Sequence, residues 1–141
     1  MGEEGKDVKR KALSKKTRQL VYEKYHGHCA YCGCELAYKD MQVDHVESYY
    51  LNDPDNRFIH RDKKSVKELN ELENLMPACR MCNFYKSTDS LESFRKKLRR
   101  TLLPNVKRPF QFRLAEKYGM VEIHEKPIQF YFEKVKGTGE C

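Results

Sequence analysis

Two cysteine pairs constrain the fold of this chain more than any other feature of its sequence. Cys29 and Cys32 form one C-x-x-C pair, Cys79 and Cys82 form a second, and 46 residues separate the two pairs. Each pair can present two thiolates from one turn, and two such pairs supply the four ligands of a closed, tetrahedral zinc site. The spacing therefore predicts a structural zinc ion at the centre of the fold.

The cysteines alone leave alternatives to this zinc site open. The same four thiols can hold an iron–sulfur cluster, or they can be buried as free thiols. Cys34 can also replace Cys32 as a ligand, although the C-x-x-C spacing favours Cys29 and Cys32. We interpret Cys141 as an exposed terminal thiol.

Length and composition predict one small domain that depends on its metal. The chain has 141 residues, of which 39% are hydrophobic and none is tryptophan, so we expect a modest core. A domain of this size is stable by about 5–15 kcal/mol. A structural zinc site contributes about 10–16 kcal/mol at neutral pH. Zinc binding can therefore decide whether the centre of the chain folds.

The charge and hydropathy of the chain favour nucleic acid as a partner. Its formal net charge is +7, which is typical of proteins that bind nucleic acid or anionic membranes. No apolar run approaches the roughly 20 residues that span a bilayer, and the first residues lack the apolar segment of a signal peptide. We expect a cytoplasmic protein with reduced thiols and no membrane partner. In that compartment paired cysteines indicate metal ligands.

Hydrophobic periodicity predicts short strands and helices around the cysteine pairs. We expect strands over residues 41–46 and 74–78 and a short helix that begins at Ser65. A long amphipathic helix follows the second pair and ends at Pro104, because proline lacks the N–H that continues a helix. The strands place polar residues close to the cysteines.

The pattern after Pro104 predicts a C-terminal extension. Residues 110–118 have the character of a helix, and Gly119 stops it. Residues 120–123 and 127–133 are rich in β-branched and aromatic side chains, which favours two strands of a β-hairpin.

Two basic segments are candidates for contact with nucleic acid. Residues 6–18 contain seven Lys or Arg and one acidic residue, which indicates a loose arm that runs into a helix. The long helix after the second cysteine pair carries Arg95, Lys96, Arg99 and Arg100. The alternative for both segments is a solvated surface without a ligand.

A catalytic site in this chain requires a second, open metal site. The four cysteines fill the coordination sphere of a structural zinc ion, so that ion cannot activate water. Asp44 and Asn83 offer oxygen ligands that suit Mg²⁺ or Mn²⁺. His45 is a candidate general base, because the pKa of histidine lies near neutrality.

Four motifs occur in an order that resembles the HNH nuclease family. They are Cys29-x-x-Cys32, Val43-Asp44-His45, Glu73-Asn74-Leu75 and Cys79-x-x-Cys82-Asn83-x-x-Lys86. The resemblance covers residues 17–87. It implies an α+β fold, the ββα-metal finger, in which two short strands and a helix surround one catalytic divalent cation.

The resemblance implies a role for each polar residue of these motifs. His45 is the implied general base, which deprotonates the attacking water, and Asp44 and Asn83 are the implied ligands of the catalytic metal. Asn74 is implied to hold the loop between the strands and to orient the imidazole of His45. Lys86 matches a basic position close to the phosphate. Asn83 stands where the family often has histidine, so the chain is an H-N-N variant, as are the HNH domains of CRISPR nucleases.

The implied reaction is metal-dependent hydrolysis of double-stranded DNA, with a 5′ phosphate and a 3′ hydroxyl as products. The implied cofactors are structural Zn²⁺ and catalytic Mg²⁺ or Mn²⁺. One site cuts one strand, so double-strand cleavage implies a homodimer or sequential nicks. The alternative is a zinc-stabilised nucleic-acid-binding module without catalysis. Such a module needs the cysteines and the basic residues but not the set of Asp44, His45, Asn74 and Asn83.

The expected architecture is a small zinc-stabilised α+β finger with flanking helices and a C-terminal extension. We divide the chain into a basic N-terminal arm at 1–16, an HNH nuclease domain with the zinc site at 17–103, a helix and β-hairpin extension at 104–136, and a tail at 137–141.

Overall fold

The computed structural model describes residues 12–53 and 63–138, which form helices and one small sheet. The helices are α1 (Lys15–Glu23), α2 (Val66–Leu69), α3 (Arg80–Lys86), α4 (Leu91–Lys107), α5 (Phe110–Lys117) and α6 (Tyr131–Thr138). The strands are β1 (Gln42–His45) and β2 (Leu75–Ala78). Single 3₁₀ turns cover Tyr38–Asp40, Tyr50–Asn52 and Leu72–Asn74.

The chain divides into two compact units. The first unit comprises Met1–Ser90 and Gln129–Cys141, and the second comprises Leu91–Ile128. All the predicted metal ligands and the predicted general base belong to the first unit. The predicted domain boundaries at 17–103 and 104–136 stay a prediction.

The sheet of the first unit is an antiparallel pair of short strands that leads into a helix. Asp44 on β1 is opposite Met76 on β2, and His45 is opposite Leu75. α3 begins directly after β2, with Cys79 as its N-cap residue. The structure therefore contains a strand–strand–helix arrangement at the place where the sequence predicts one, within a mixed fold of helices and a two-stranded sheet.

Packing of α1 on the sheet forms a hydrophobic cluster. Val21, Met41 and Leu75 are buried together. Ser14 caps α1 by accepting a hydrogen bond from the backbone of Thr17 at 3.1 Å. Arg18 on α1 donates to two backbone carbonyl oxygens just before β1, at 2.7 and 2.8 Å. These contacts position the strand that carries Asp44 and His45.

α2 begins where the sequence predicts, at a capping box. The Ser65 side chain accepts from the backbone of Glu68, and the Glu68 carboxylate accepts from the backbone of Ser65. Before this helix, the Asn52 side chain donates to the Ser48 carbonyl at 2.9 Å and accepts from the Lys64 backbone at 2.9 Å. Asn52 thus joins the chain on the two sides of residues 54–62, which lie outside the described residues.

The C-terminal segment of the first unit is a helix, which corrects the predicted β-hairpin. Residues 120–123 are irregular, and α6 begins at Tyr131, within the segment 127–133 that is expected to be a strand. The aromatic composition favours a strand, but tertiary contacts override it. The first N–H groups of a helix lack partners inside the helix, and those of Tyr131 and Phe132 donate to the carbonyls of Tyr31 and Ala30 at 2.9 Å.

The second unit contains α4 and α5. α5 ends at Lys117, close to the predicted position before Gly119. α4 continues through Pro104 to Lys107, so the prediction that it ends at Pro104 is wrong. Proline removes one hydrogen bond, to the carbonyl of Arg100. Arg100 is exposed, so water can satisfy that carbonyl and the helix can continue for one further turn.

Parts of the predicted arm and tail lie outside the described residues. Of the arm at 1–16, the structure describes residues 12–16, where α1 begins at Lys15. Of the tail at 137–141, it describes the last two residues of α6. None of the described helices is both long enough and apolar enough to cross a membrane.

Candidate active site and metal centre

The structure brings the four predicted cysteine ligands together. The sulfur atoms of Cys29, Cys32, Cys79 and Cys82 all lie within 4.8 Å of one another. Four sulfurs placed tetrahedrally around zinc at about 2.3 Å are about 3.8 Å apart, and the Cys32 and Cys79 sulfurs are 3.8 Å apart. The four cysteines therefore form a cluster that can hold a zinc ion.

Local backbone structure creates this cluster from two tight turns. In the first turn, the Gly33 N–H donates to the Cys29 carbonyl at 3.0 Å, and Gly33 has a φ of 82°. A β-carbon at Gly33 would lie 2.7 Å from the ring of Tyr131, so this position requires glycine for both reasons. In the second turn, the Cys79 sulfur accepts from the Cys82 backbone at 3.4 Å at the start of α3.

The electrostatics of the four thiols favour a bound cation. A hydrogen bond from the Cys82 thiol lowers the pKa of Cys29 to about 4. The same hydrogen bond, together with burial, raises the pKa of Cys82. One thiolate therefore forms readily, and its charge opposes ionisation of its neighbours. A divalent cation relieves that repulsion, because each ligand of zinc is a thiolate.

Cys34 lies beside this cluster but outside its set of four. Its side chain is exposed, and it belongs to the first turn through its carbonyl, which accepts from the Cys29 backbone at 2.8 Å. The geometry thus favours Cys32 over Cys34 as the fourth ligand. Cys141 lies outside the described residues.

A cleft of about 280 Å³ brings the predicted catalytic residues together. Asp44 and His45 line it from β1, and Asn83 lines it from α3. Further residues of its wall come from the segments that follow β1 and α3, and they include Tyr49, Asp53 and Thr88. The metal ligands and the general base predicted from the sequence therefore share one surface.

Asp44 is buried in a network of hydrogen bonds and charges. The Lys86 ammonium lies 3.1 Å from one carboxylate oxygen and 3.4 Å from the other, and the Tyr31 hydroxyl donates a short hydrogen bond to the carboxylate. Burial raises the pKa of Asp44, and the positive charge of Lys86 opposes this rise. Burial and the Asp44 charge raise the pKa of Tyr31, so Tyr31 stays protonated and donates.

Lys86 is buried against Asp44, whereas the resemblance implies a position close to the phosphate. Its side chain has no exposed surface, and besides Asp44 its ammonium donates to the backbone carbonyls of His45 at 3.1 Å and Val46 at 3.3 Å. A lysine at this helical position can turn inward because a buried carboxylate lies opposite it on β1. Lys86 therefore holds α3 against β1 in this structure, and its contact with a phosphate stays a prediction.

Asn83 presents an amide oxygen as a free acceptor. Its Nδ2 donates to the Gln42 side chain at 2.7 Å, which fixes the orientation of the amide. The described part of the chain supplies no donor to its Oδ1. A carboxylate accepts up to about four hydrogen bonds, so Asp44 keeps acceptor capacity beside its donors. Asp44 and Asn83 therefore offer oxygen atoms of the kind that hard divalent cations prefer, and the Lys86 charge opposes a cation beside Asp44.

The imidazole of His45 contacts a residue that the family motif does not include. His45 Nε2 lies 2.9 Å from the Asn70 side-chain oxygen, and the Tyr49 hydroxyl donates to that same oxygen at 2.7 Å. Asn74, the motif asparagine, instead bonds the backbone of Glu47 at 2.8 and 3.0 Å. It thus holds the loop after β1, as the resemblance implies, but does not itself contact the imidazole.

Asn70, Gln42 and Tyr31 are site residues that the sequence did not indicate. Asn70 and Gln42 are isolated polar residues, and Tyr31 lies within a C-x-x-C pair where tyrosine has no required role. Their contacts join positions 13 to 41 residues apart. Of these three residues, only Gln42 could have been found from the sequence. It lies two positions before Asp44 in the predicted strand, and residues two positions apart in a strand lie on the same face.

Comparisons with known proteins do not assign a family to this chain. No protein-family model and no curated protein matches it. It is similar to a solved structure described as the Type II-C Cas9 enzyme from Actinomyces naeslundii, with 22% sequence identity and a TM-score of 0.42. The match covers 69% of this chain and 10% of that one, so the chain spans about a tenth of that protein's length.

Proposed function

We propose that this chain is a metal-dependent DNA endonuclease of the HNH type. The observation that carries the proposal is the single cleft lined by Asp44, His45 and Asn83, next to a cluster of four cysteines. In this proposal the cysteines hold structural zinc, Asp44 and Asn83 hold Mg²⁺ or Mn²⁺, and His45 is the general base. β1, β2 and α3 then correspond to a ββα-metal finger.

The proposed reaction is hydrolysis of a phosphodiester bond. His45 accepts a proton from a water molecule, and the oxygen of that water forms a bond to phosphorus. The bond from phosphorus to the 3′ oxygen breaks, and this oxygen takes a proton from solvent. The divalent cation, when bound, would neutralise charge on the phosphate and on the leaving oxygen. The expected products carry a 5′ phosphate and a 3′ hydroxyl.

Cleavage of DNA in the presence of different metals tests this proposal. We expect zinc-loaded protein to nick supercoiled plasmid and to cut mixed genomic fragments when Mg²⁺ or Mn²⁺ is added. It should be inactive with zinc alone, because the cysteines leave no open position on that ion. Gel analysis measures the rate, and sequencing with end-specific ligation identifies the termini. Ends with a 3′ phosphate would contradict the proposed mechanism.

One observation favours a second candidate, a zinc-stabilised nucleic-acid-binding module without catalysis. Lys86 already neutralises the Asp44 carboxylate, so this carboxylate does not require a cation for charge balance. Protein that binds DNA but leaves it intact with both Mg²⁺ and Mn²⁺ would favour this module over the nuclease.

We also propose that exposed basic residues of α4 contact the phosphate backbone of DNA. Lys96, Arg99 and Arg100 are exposed. Arg95 differs from them, because its guanidinium bonds the Glu92 carboxylate at 3.1 Å and the Ile128 carbonyl at 2.7 Å. Arg95 therefore holds the second unit together, and the other three residues supply the proposed contacts.

Substitution of Lys96, Arg99 and Arg100 by glutamine should lower the affinity for DNA. It should also make that affinity less sensitive to salt concentration. Each phosphate contact that is lost reduces the slope of log K against log salt by about 0.9. A matched control replaces three exposed cations elsewhere in the second unit, Arg108, Lys117 and Lys126, and changes the net charge equally. Fluorescence anisotropy at several salt concentrations measures both proteins. Equal slopes for the two triple variants would exclude a specific role for α4.

A further inference from the structure

We propose that Asn70 is a positioning residue that selects the reactive tautomer of His45. This inference rests on the proposed function, in which His45 is the general base. Asn70 lies directly after α2, 25 residues from His45 in the chain, and its side-chain oxygen is 2.9 Å from His45 Nε2. This contact occupies Nε2 and leaves Nδ1 of His45 as the nitrogen that accepts the proton of the attacking water.

The tautomer follows from the two partners of the Asn70 oxygen. This atom is an amide oxygen, which only accepts, so the Tyr49 hydroxyl donates to it at 2.7 Å. The His45 nitrogen that meets it must therefore carry a hydrogen. A neutral imidazole has one N–H and one lone pair, so a proton on Nε2 places the lone pair on Nδ1. Among the described residues, Nδ1 has no hydrogen-bond partner, so it can accept from a water in the cleft.

The same contact stabilises His45 after proton transfer. Once Nδ1 has accepted a proton, the imidazole is a cation and Nε2 still donates to Asn70. Hydrogen bonds from a charged donor are shorter and roughly twice as strong as neutral ones. Asn70 therefore interacts more strongly with the charged imidazolium than with the resting base, which lowers the energy of proton transfer.

Two neighbours hold this pair of residues in place. Asn74 donates to the Leu69 carbonyl at 2.8 Å and to the Glu47 carbonyl at 3.0 Å. Leu69 precedes Asn70, and Glu47 follows His45 by two positions, so Asn74 connects the two backbone segments that carry the pair. The Tyr49 ring contacts the His45 ring at a centroid distance of 4.8 Å and restricts its rotation. The motif asparagine thus orients His45 indirectly, and Asn70 does so directly.

The test compares Asn70→Ala with two conservative variants in the zinc-loaded full chain. We expect Asn70→Ala to lower kcat about 10- to 100-fold, which is the size of effect seen when a metal-ligating histidine loses its orienting partner, and to leave KM unchanged. Asn70→Asp should restore kcat to within a few fold, because a carboxylate also accepts from Nε2. Tyr49→Phe, which keeps the ring and removes the hydroxyl, should cause a smaller loss. Lys67→Ala, exposed on the same helix, is the control.

Nuclear magnetic resonance of ¹⁵N-labelled histidine gives a readout that is independent of cleavage. We expect the wild-type protein and Asn70→Asp to show a proton on His45 Nε2 that exchanges slowly with water. In Asn70→Ala this signal should be lost while zinc content and circular dichroism remain unchanged. A proton on Nδ1 in the wild-type protein, or an unchanged kcat in Asn70→Ala, would overturn the inference.

The two measurements also separate this inference from the proposed function. Wild-type protein that retains the protected Nε2 proton but cleaves no DNA would remove the nuclease proposal and would leave the Asn70–His45 contact established. Active wild-type protein with no effect of Asn70→Ala would leave the nuclease proposal standing and would remove the role of Asn70.

Discussion

The His45→Ala protein should fold, retain its zinc and cleave DNA about 10²–10⁴ times more slowly than the wild-type protein, which is the usual contribution of a general base. His45 is half-buried at the end of β1, and its side chain lies in the cleft. Its contacts are with Asn70 and Tyr49, and neither belongs to the cysteine cluster. Loss of the imidazole therefore removes the proposed proton acceptor without removing a proposed metal ligand.

The control for this variant is His124→Ala. His124 belongs to the second unit, and its side chain is 70% exposed. We expect it to cleave plasmid at the wild-type rate. Initial nicking rates at saturating Mg²⁺, together with zinc content and thermal unfolding, measure all three proteins. If His45→Ala nicks as fast as the wild-type protein, His45 is not the general base and the catalytic assignment is wrong.

Features set by short stretches of sequence could be predicted. The two C-x-x-C pairs predict the cysteine cluster because each pair is a local turn, and the structure brings all four sulfurs together. The start of α2 follows from the capping box at Ser65. The strand with Asp44 and His45 follows from Met41 and Val43, two apolar residues at alternate positions just before the polar pair. In each case, a few consecutive residues contain the physical signal.

Features that depend on contacts between distant residues could not be predicted. Lys86 has the charge of a phosphate-binding residue, and its burial depends on Asp44, which lies 42 residues earlier in the chain. Asn70 has no pattern around it that distinguishes it from other asparagines. The segment that begins α6 has the composition of a strand, and it becomes a helix because the turn at Ala30 and Tyr31 accepts its first N–H groups.

In the proposed nuclease, the Asp44–Lys86 pair should weaken binding of the catalytic metal. A cation at Asp44 must share the carboxylate with an ammonium group about 3 Å away, which repels it. Asn83 adds a neutral oxygen rather than a charged ligand. In the proposed nuclease we therefore expect the cation to bind together with the phosphate, because the phosphate adds negative charge to the site.

The second large effect concerns the zinc cluster. We expect Cys79→Ser to lose zinc and to unfold the first unit. Structural zinc contributes about 10–16 kcal/mol, and a whole domain of this size is stable by about 5–15 kcal/mol, so the fold cannot tolerate the loss. Serine is a favoured N-cap residue, so the substitution keeps the capping interaction that Cys79 makes with the Cys82 backbone. Any loss of structure in this variant is then caused by loss of the zinc ion and not by loss of the helix cap.

Cys34→Ser is the matched control, because Cys34 is an exposed cysteine in the first turn and lies outside the set of four. We expect it to bind one zinc ion per chain and to unfold at the wild-type temperature. Metal analysis after dialysis and far-ultraviolet circular dichroism on heating measure both variants. A folded, zinc-free Cys79→Ser protein would show that the hydrophobic cluster around Val21 holds the fold without metal. Loss of zinc from Cys34→Ser would identify Cys34 as a ligand in place of Cys32.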